Sequence, residues 1–122
     1  MAKVMIVDDM VVIQEILKEI LSLKGHSILY TAFNGLEAVE YFQQHSRDNW
    51  PDLVIMDHRM PVKNGVAALK ELLEIEPMIR VIFVSADESA RKEALSMGAI
   101  GYLVKPFSVK EILELIDQVL IV

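Results

Sequence analysis

Cysteine is absent from the chain. That excludes disulfide staples and thiolate metal sites, and it is compatible with a reducing cytosol. An excess of basic residues is missing too: 12 Lys and Arg stand against 18 Asp and Glu, a net charge of −6. A surface built to grip a phosphate backbone needs a basic face, so direct nucleic-acid binding is not expected. No apolar run approaches the ~20 residues of a bilayer span. The opening stretch Met1–Val7 meets Asp8 and Asp9 too early to form a secretory apolar core. Neither membrane insertion nor export is expected, and the cytoplasm is the expected location. No linker, repeat or low-complexity tract interrupts the 122 residues. The chain reads as one domain over residues 1–122, large enough to bury roughly two-thirds of its unfolded surface without a staple. The last helical pattern is expected to run to Val122, with no effector domain behind it.

What the chain does contain is an alternation repeated five times. Apolar, strand-like runs stand at Val4–Val7, Ile28–Ala32, Leu53–Met56, Val81–Val84 and Tyr102–Val104. Between and after them, apolar residues recur three and four apart: Ile13, Ile16, Leu17, Ile20 and Leu21; Leu36, Val39 and Phe42; Val66, Leu69, Leu72 and Leu73; Ala90, Ala94 and Leu95; and Ile112, Leu115, Ile116, Val119 and Leu120. Strand alternating with helix implies a parallel sheet covered on both faces, an α/β fold. Helix ends are marked by Gly25 and Gly98 as terminating glycines and by Ser108 with Glu111 as a capping box, with Phe107 and Ile112 placed as a staple. Asn34 with Glu37 is a weaker box, and Asp87 is the expected N-cap of the fourth helix.

In a parallel sheet the carboxyl ends of the strands share one edge, where open α/β folds place their ligand crevices. The first run ends in Asp8-Asp9, the third in Asp57, the fourth in Ser85 and the fifth in Lys105-Pro106. The second ends in Thr31-Ala32, as an edge strand far from a site would. A single acid after a strand is ordinarily a cap or a solvated loop residue, but four strands delivering complementary chemistry to one edge point to a site. Three carboxylates close together repel one another, and a hard dication relieves that. Mg²⁺ suits such a set, taking carboxylates, a carbonyl, waters and phosphate oxygens. Asp57 could then attack phosphorus in line and form an acyl phosphate, with Lys105 and the Ser85 hydroxyl holding phosphoryl oxygens.

These residues resemble a known family. Val7-Asp8-Asp9, Asp57, Met60-Pro61 through Gly65, Ser85-Ala86, Met97-Gly98-Ala99 and Lys105-Pro106-Phe107 fall in the order and spacing of the receiver domain of two-component response regulators, across essentially the whole chain. The resemblance implies a flavodoxin-like (βα)5 fold, five parallel strands in the order 2-1-3-4-5. It implies Asp57 as phosphoacceptor and a phosphohistidine on a sensor histidine kinase or phosphotransfer protein as donor. Mg²⁺ would be bound by Asp9, Asp57 and the Arg59 backbone carbonyl, with Asp8 acting through a metal-bound water. Lys105 would pair with phosphate beside a cis bond to Pro106, and Ser85 with Tyr102 would form the switch. On phosphorylation the ring would turn inward and reshape the face made by the fourth helix, fifth strand and fifth helix, where a downstream protein docks. Such a protein catalyses only its own phosphorylation and dephosphorylation and is not otherwise an enzyme. Arg59 and Asp87 each lie two residues beyond a site residue. As a pair they would cover the phosphoryl group and slow its hydrolysis; the alternative is two solvated surface charges.

Two other functions compete. One is a dehalogenase-like hydrolase forming an aspartyl phosphate, disfavoured because Asp57-His58-Arg59 has no second acid to act as general acid. The other is a degenerate receiver used as a binding module, disfavoured because every expected acid, hydroxyl and lysine is present. His26, His45 and His58 show no metal-ligand spacing, and His58 is expected to point away from Asp57. Met10-Val11-Val12 is expected to cap the first helix or pack against the loop after Asp57. Trp50 is expected to pack beneath its own loop.

Overall fold

A computed structural model describes residues 1–121, so the expectation for Val122 lies outside the described residues. Five strands and five helices alternate: β1 (Lys3–Val7), α1 (Val11–Leu23), β2 (Ser27–Ala32), α2 (Gly35–Gln44), β3 (Leu53–Met56), α3 (Gly65–Ile75), β4 (Val81–Ser85), α4 (Arg91–Met97), β5 (Gly101–Val104) and α5 (Val109–Ile121). Short 3-10 turns at Arg47–Asn49 and Glu88–Ala90 precede β3 and α4. All strand pairs are parallel and the sheet order is β2-β1-β3-β4-β5. This is the flavodoxin-like arrangement expected from the sequence.

The central strands are apolar throughout because both of their faces are covered. Met5, Val7, Val54, Met56, Val81 and Phe83 pack with Ala38 and Phe42 of α2, Leu69 and Leu72 of α3 and Ala94 of α4. The alternate residues Val4, Ile6, Leu53, Ile55, Ile82 and Val84 pack with Leu17 and Leu21 of α1 and Ile112 and Ile116 of α5. Truncating one of these large buried side chains to alanine costs ~2–5 kcal/mol, a large share of a small domain's stability. The edge strand β2 departs from a simple run. Val4 pairs with Ile28 but Met5 with Tyr30, so Leu29 is an extra, bulged residue. Leu29 thereby reaches the core on the α2–α4 side.

The caps follow the sequence with two corrections. Ser108 and Glu111 bond reciprocally: Glu111 N–H donates to Ser108 Oγ at 3.1 Å and Ser108 N–H to Glu111 Oε1 at 2.9 Å. Asn34 accepts from Glu37 N–H, and Asn64, which the pattern did not single out, accepts from Ala67 N–H at the start of α3. Asp87 accepts from Ser89 N–H, so it caps the 3-10 turn before α4 and not α4 itself; with little apolar periodicity to support it, the first turn of that segment tightens. Met10 occupies the N-cap of α1 without a side-chain bond, and Met10, Val11 and Val12 are all exposed, neither capping by side chain nor packing down. At the opposite end of the sheet Trp50 lies against Phe42, with ring centroids 5.2 Å apart, and donates its indole N–H to the Phe42 and His45 carbonyls. The Arg47 guanidinium lies over the ring, 4.9 Å from its centroid.

Candidate acidic site at the carboxyl edge of the sheet

Register brings the acids together. β1 and β3 are neighbours, with Val7 opposite Met56. Asp8 and Asp57, each one residue further on, therefore stand side by side, and Asp57 N–H donates to the Val7 carbonyl at 2.9 Å. Carboxylate oxygens of Asp8, Asp9 and Asp57 all lie within 4.8 Å of one another. Asp8 and Asp57 are buried, at 2% and 7% exposure, while Asp9 is exposed. Two like unit charges ~5 Å apart repel by ~3 kcal/mol at an effective dielectric constant near 20, so the cluster calls for a counter-charge.

Lys105 supplies one such charge. It follows β5, its N–H donates to the Ser85 carbonyl, and it precedes a cis bond to Pro106. Its Nζ lies 2.8 Å from Asp8 Oδ2 and 3.5 Å from Asp57 Oδ2. One monocation does not balance three acids. Burial holds the Asp8 carboxyl above the ordinary carboxylate range; hydrogen bonds from Lys105 and Met10 pull it back, and the Asp57 charge adds to the rise. Hard carboxylate oxygens, converging from two adjacent loops with one acid open to solvent, fit a dication of the Mg²⁺ kind.

The rim is built by the other loops. Ser85 is fully buried at the end of β4, and its Oγ accepts from Asp87 N–H at 3.1 Å. Tyr102 on β5, whose ring the resemblance turns inward on phosphorylation, is already inward in this structure, stacked on Phe83 with centroids 5.5 Å apart and planes 6° from parallel. Its hydroxyl donates to the Asp87 carbonyl. Burial raises the phenol above its ordinary value, and a hydrogen bond with Ser85 opposes that rise. The expected Arg59–Asp87 pair is present, with Nε 2.8 Å from Oδ2. Arg59, Asp87, Asp9 and His58 line one open cleft.

Two backbone features shape the loop after Asp57. Val62 has φ = 70°, and Lys63 N–H donates to the Pro61 carbonyl at 2.7 Å, closing a γ-turn. At Gly65 a Cβ would stand 2.3 Å from the Asp57 carbonyl oxygen, so only glycine lets α3 start this close to the site.

The structure thus gathers Asp8, Asp9, Asp57 and Lys105 at one point and places Ser85, Tyr102 and Arg59 around it. His58 stays outside the acid cluster, as expected, yet has a task the sequence did not reveal: its Nδ1 lies 3.3 Å from Val66 N and accepts from the first turn of α3. Gln14 was also missed. It is buried on α1 and bonds to the backbone beside the acids. Its i+6 spacing from Asp8 was the one available signal.

Comparison with known proteins agrees. The model of the response regulator receiver domain family matches residues 4–117. The chemotaxis protein CheY of Bacillus subtilis (strain 168) is 38% identical over 120 residues, covering 97% of this chain and 97% of that protein. The chemotaxis protein CheY of Thermotoga maritima is 36% identical over 119 residues, 96% of each chain. A chain of the crystallised CheX–CheY–BeF3–Mg complex from Borrelia burgdorferi superposes with a TM-score of 0.89 at 34% identity, covering 97% of this chain and 88% of that one. TrrA from Thermotoga maritima, crystallised with Mg²⁺ and a beryllofluoride, gives a TM-score of 0.85 at 33% identity, covering 98% and 99%. Likeness of this extent, in sequence and in fold together, establishes that the chain belongs to the response regulator receiver domain family and is a receiver of the CheY type.

Proposed function

We propose that this receiver takes a phosphoryl group onto Asp57 from a phosphohistidine on a sensor histidine kinase or phosphotransfer protein. The observation that carries the reading is the convergence of Asp8, Asp9 and Asp57 within 4.8 Å, with the Lys105 ammonium against two of them. Asp9, Asp57 and the Arg59 backbone carbonyl would hold Mg²⁺, and Asp8 would act through water. Bound there, the metal neutralises charge on the acids and on the phosphoryl oxygens.

The chain's own groups do the rest. One Asp57 oxygen is held by His58 N–H at 2.8 Å, which fixes the carboxylate plane. A carboxylate oxygen bonds to phosphorus as the donor's P–N bond breaks, and the imidazole leaves. Lys105 and the Ser85 hydroxyl take the phosphoryl oxygens. To do so the Lys105 ammonium leaves Asp8, and the Ser85 hydroxyl leaves the Asp87 N–H that it now accepts from. Moving Ser85 loosens the loop whose Asp87 carbonyl receives the Tyr102 hydroxyl, coupling the site to the surface of α4, β5 and α5. That face displays Leu95 and Ile100 and would bind the downstream protein. The reaction modifies the receiver itself. A hydrolase reading lacks the second acid that it needs, since His58 and Arg59 follow Asp57.

The test is incorporation of phosphoryl from acetyl phosphate, read by intact mass. Wild-type protein with Mg²⁺ gains one phosphoryl group, and chelating the metal abolishes the gain. Labelling of Asp57→Asn at the wild-type level would refute the assignment.

A further inference from the structure

Asp8 is held at four points. Its N–H donates to the Ala32 carbonyl at 3.0 Å, Oδ1 accepts from Met10 N–H at 2.9 Å, and Oδ2 accepts from Lys105 Nζ at 2.8 Å. The fourth is its carbonyl oxygen, which accepts from Gln14 Nε2 at 2.8 Å. The same nitrogen gives its second hydrogen to the Ala32 carbonyl at 3.0 Å.

Gln14 is 2% exposed, unusual for a residue type that mostly stays in water. A buried carboxamide is tolerated only when bonded, and this one is spent on two backbone carbonyls. Both flank the acids, one in the β1–α1 loop and one at the end of β2.

The Asp8 carbonyl and the Asp9 nitrogen belong to one rigid peptide plane. Fixing that carbonyl fixes the direction in which the Asp9 Cα departs, and so where the Asp9 carboxylate can point. Asp8 and Asp57 have side-chain bonds of their own to hold them. Asp9 is the exposed member, and its aim depends on its backbone.

We infer that Gln14 is a positioning residue for the metal: by clamping the Asp8 carbonyl to the Ala32 carbonyl it aims Asp9 at the dication. The inference rests on the reading of Asp8, Asp9 and Asp57 as the Mg²⁺ site. A merely structural Gln14 would pin α1 to β2 and leave the metal affinity of folded protein untouched.

The experiment is a MgCl2 titration of the full chain at constant ionic strength, followed by amide NMR shifts well below the melting temperature. Gln14→Met keeps the length and removes both donors. Val119→Ala, in α5 on the same side of the core as α1 but beside Arg80 ahead of β4, away from the acids, controls for lost stability. The Mg²⁺ dissociation constant is expected to rise about tenfold in Gln14→Met, the scale seen when a partner of a metal ligand is removed, and to stay unchanged in Val119→Ala. Wild-type affinity in Gln14→Met, or equal weakening in both variants, overturns the inference. If Gln14→Met does not fold, the wild-type protein decides: the Gln14 side-chain NH2 signals should shift with the same midpoint as the Asp9 amide, and signals that stay fixed overturn it. A wild-type chain that shows no response to Mg²⁺ refutes the metal site itself, and Gln14's role with it.

Discussion

Val62 offers a test of how the loop beside the acceptor is held. It is a β-branched residue at φ = 70° in a γ-turn, a conformation that an L side chain with a branched Cβ resists. Left-handed backbone costs an ordinary residue ~1–2 kcal/mol. The side chain offers little in return, being 76% exposed. Complete burial of a valine is worth ~1.5–3 kcal/mol, so the quarter that is covered contributes ~0.5 kcal/mol. Asparagine tolerates positive φ, so Val62→Asn should stabilise the protein by ~1 kcal/mol. Val62→Gly should gain less, because glycine adds ~0.5–1 kcal/mol of unfolded-state entropy. Val62→Ala keeps the Cβ and should gain least. In urea, with an m-value of ~1.5 kcal/mol/M, the asparagine variant's midpoint should rise by ~0.7 M, and its melting temperature by about 4 °C. An asparagine variant no more stable than wild type, or an alanine variant that gains as much, would refute the argument from φ.

Two further outcomes follow from the site. Burial holds the Asp8 carboxyl above its ordinary 3.8. Between that value and the raised one the folded chain binds more protons than the unfolded chain, so in metal-free protein this residue makes stability fall as pH rises. The stability of Asp8→Asn relative to wild type should therefore climb with pH from about 4 and level off once Asp8 is ionised, measured by urea unfolding with chelator present; a flat or falling difference would contradict the assignment. Arg59→Ala should release the phosphoryl group severalfold faster in a phosphate-release assay and leave the urea midpoint nearly unchanged, since Arg59 is open to solvent and its contact with the more covered Asp87 shields the site without holding the fold. An unaltered release rate would return Arg59 and Asp87 to the status of surface charges.

The central strands were legible because they are buried on both faces: Leu53–Met56 has the bounds its apolar run predicts. The acids were legible because parallel strands end together, which makes position after a strand a proxy for position in space. The same logic found Arg59 and Asp87, two residues past the site residues on neighbouring strands β3 and β4. What escaped lacked a periodic or compositional mark. Gln14 has the spacing of a solvated helix residue, and its burial follows from two backbone carbonyls that no pattern displays. The bulge at Leu29 leaves an apolar run looking uninterrupted. Met60-Pro61-Val62-Lys63 carries no glycine or asparagine where the chain takes its left-handed step, so the γ-turn is set by the closure of the loop around it and not by local preference.

Trp50 is the only tryptophan in the chain. It stands before β3, whose whole length separates it from Asp57. Its indole contacts Phe42 and Arg47 and is bonded to two carbonyls. A metal or phosphoryl group among the acids cannot quench this fluorophore by touch. A change in its emission on activation must instead travel along the sheet, which turns the chain's single tryptophan into a reporter of long-range rearrangement.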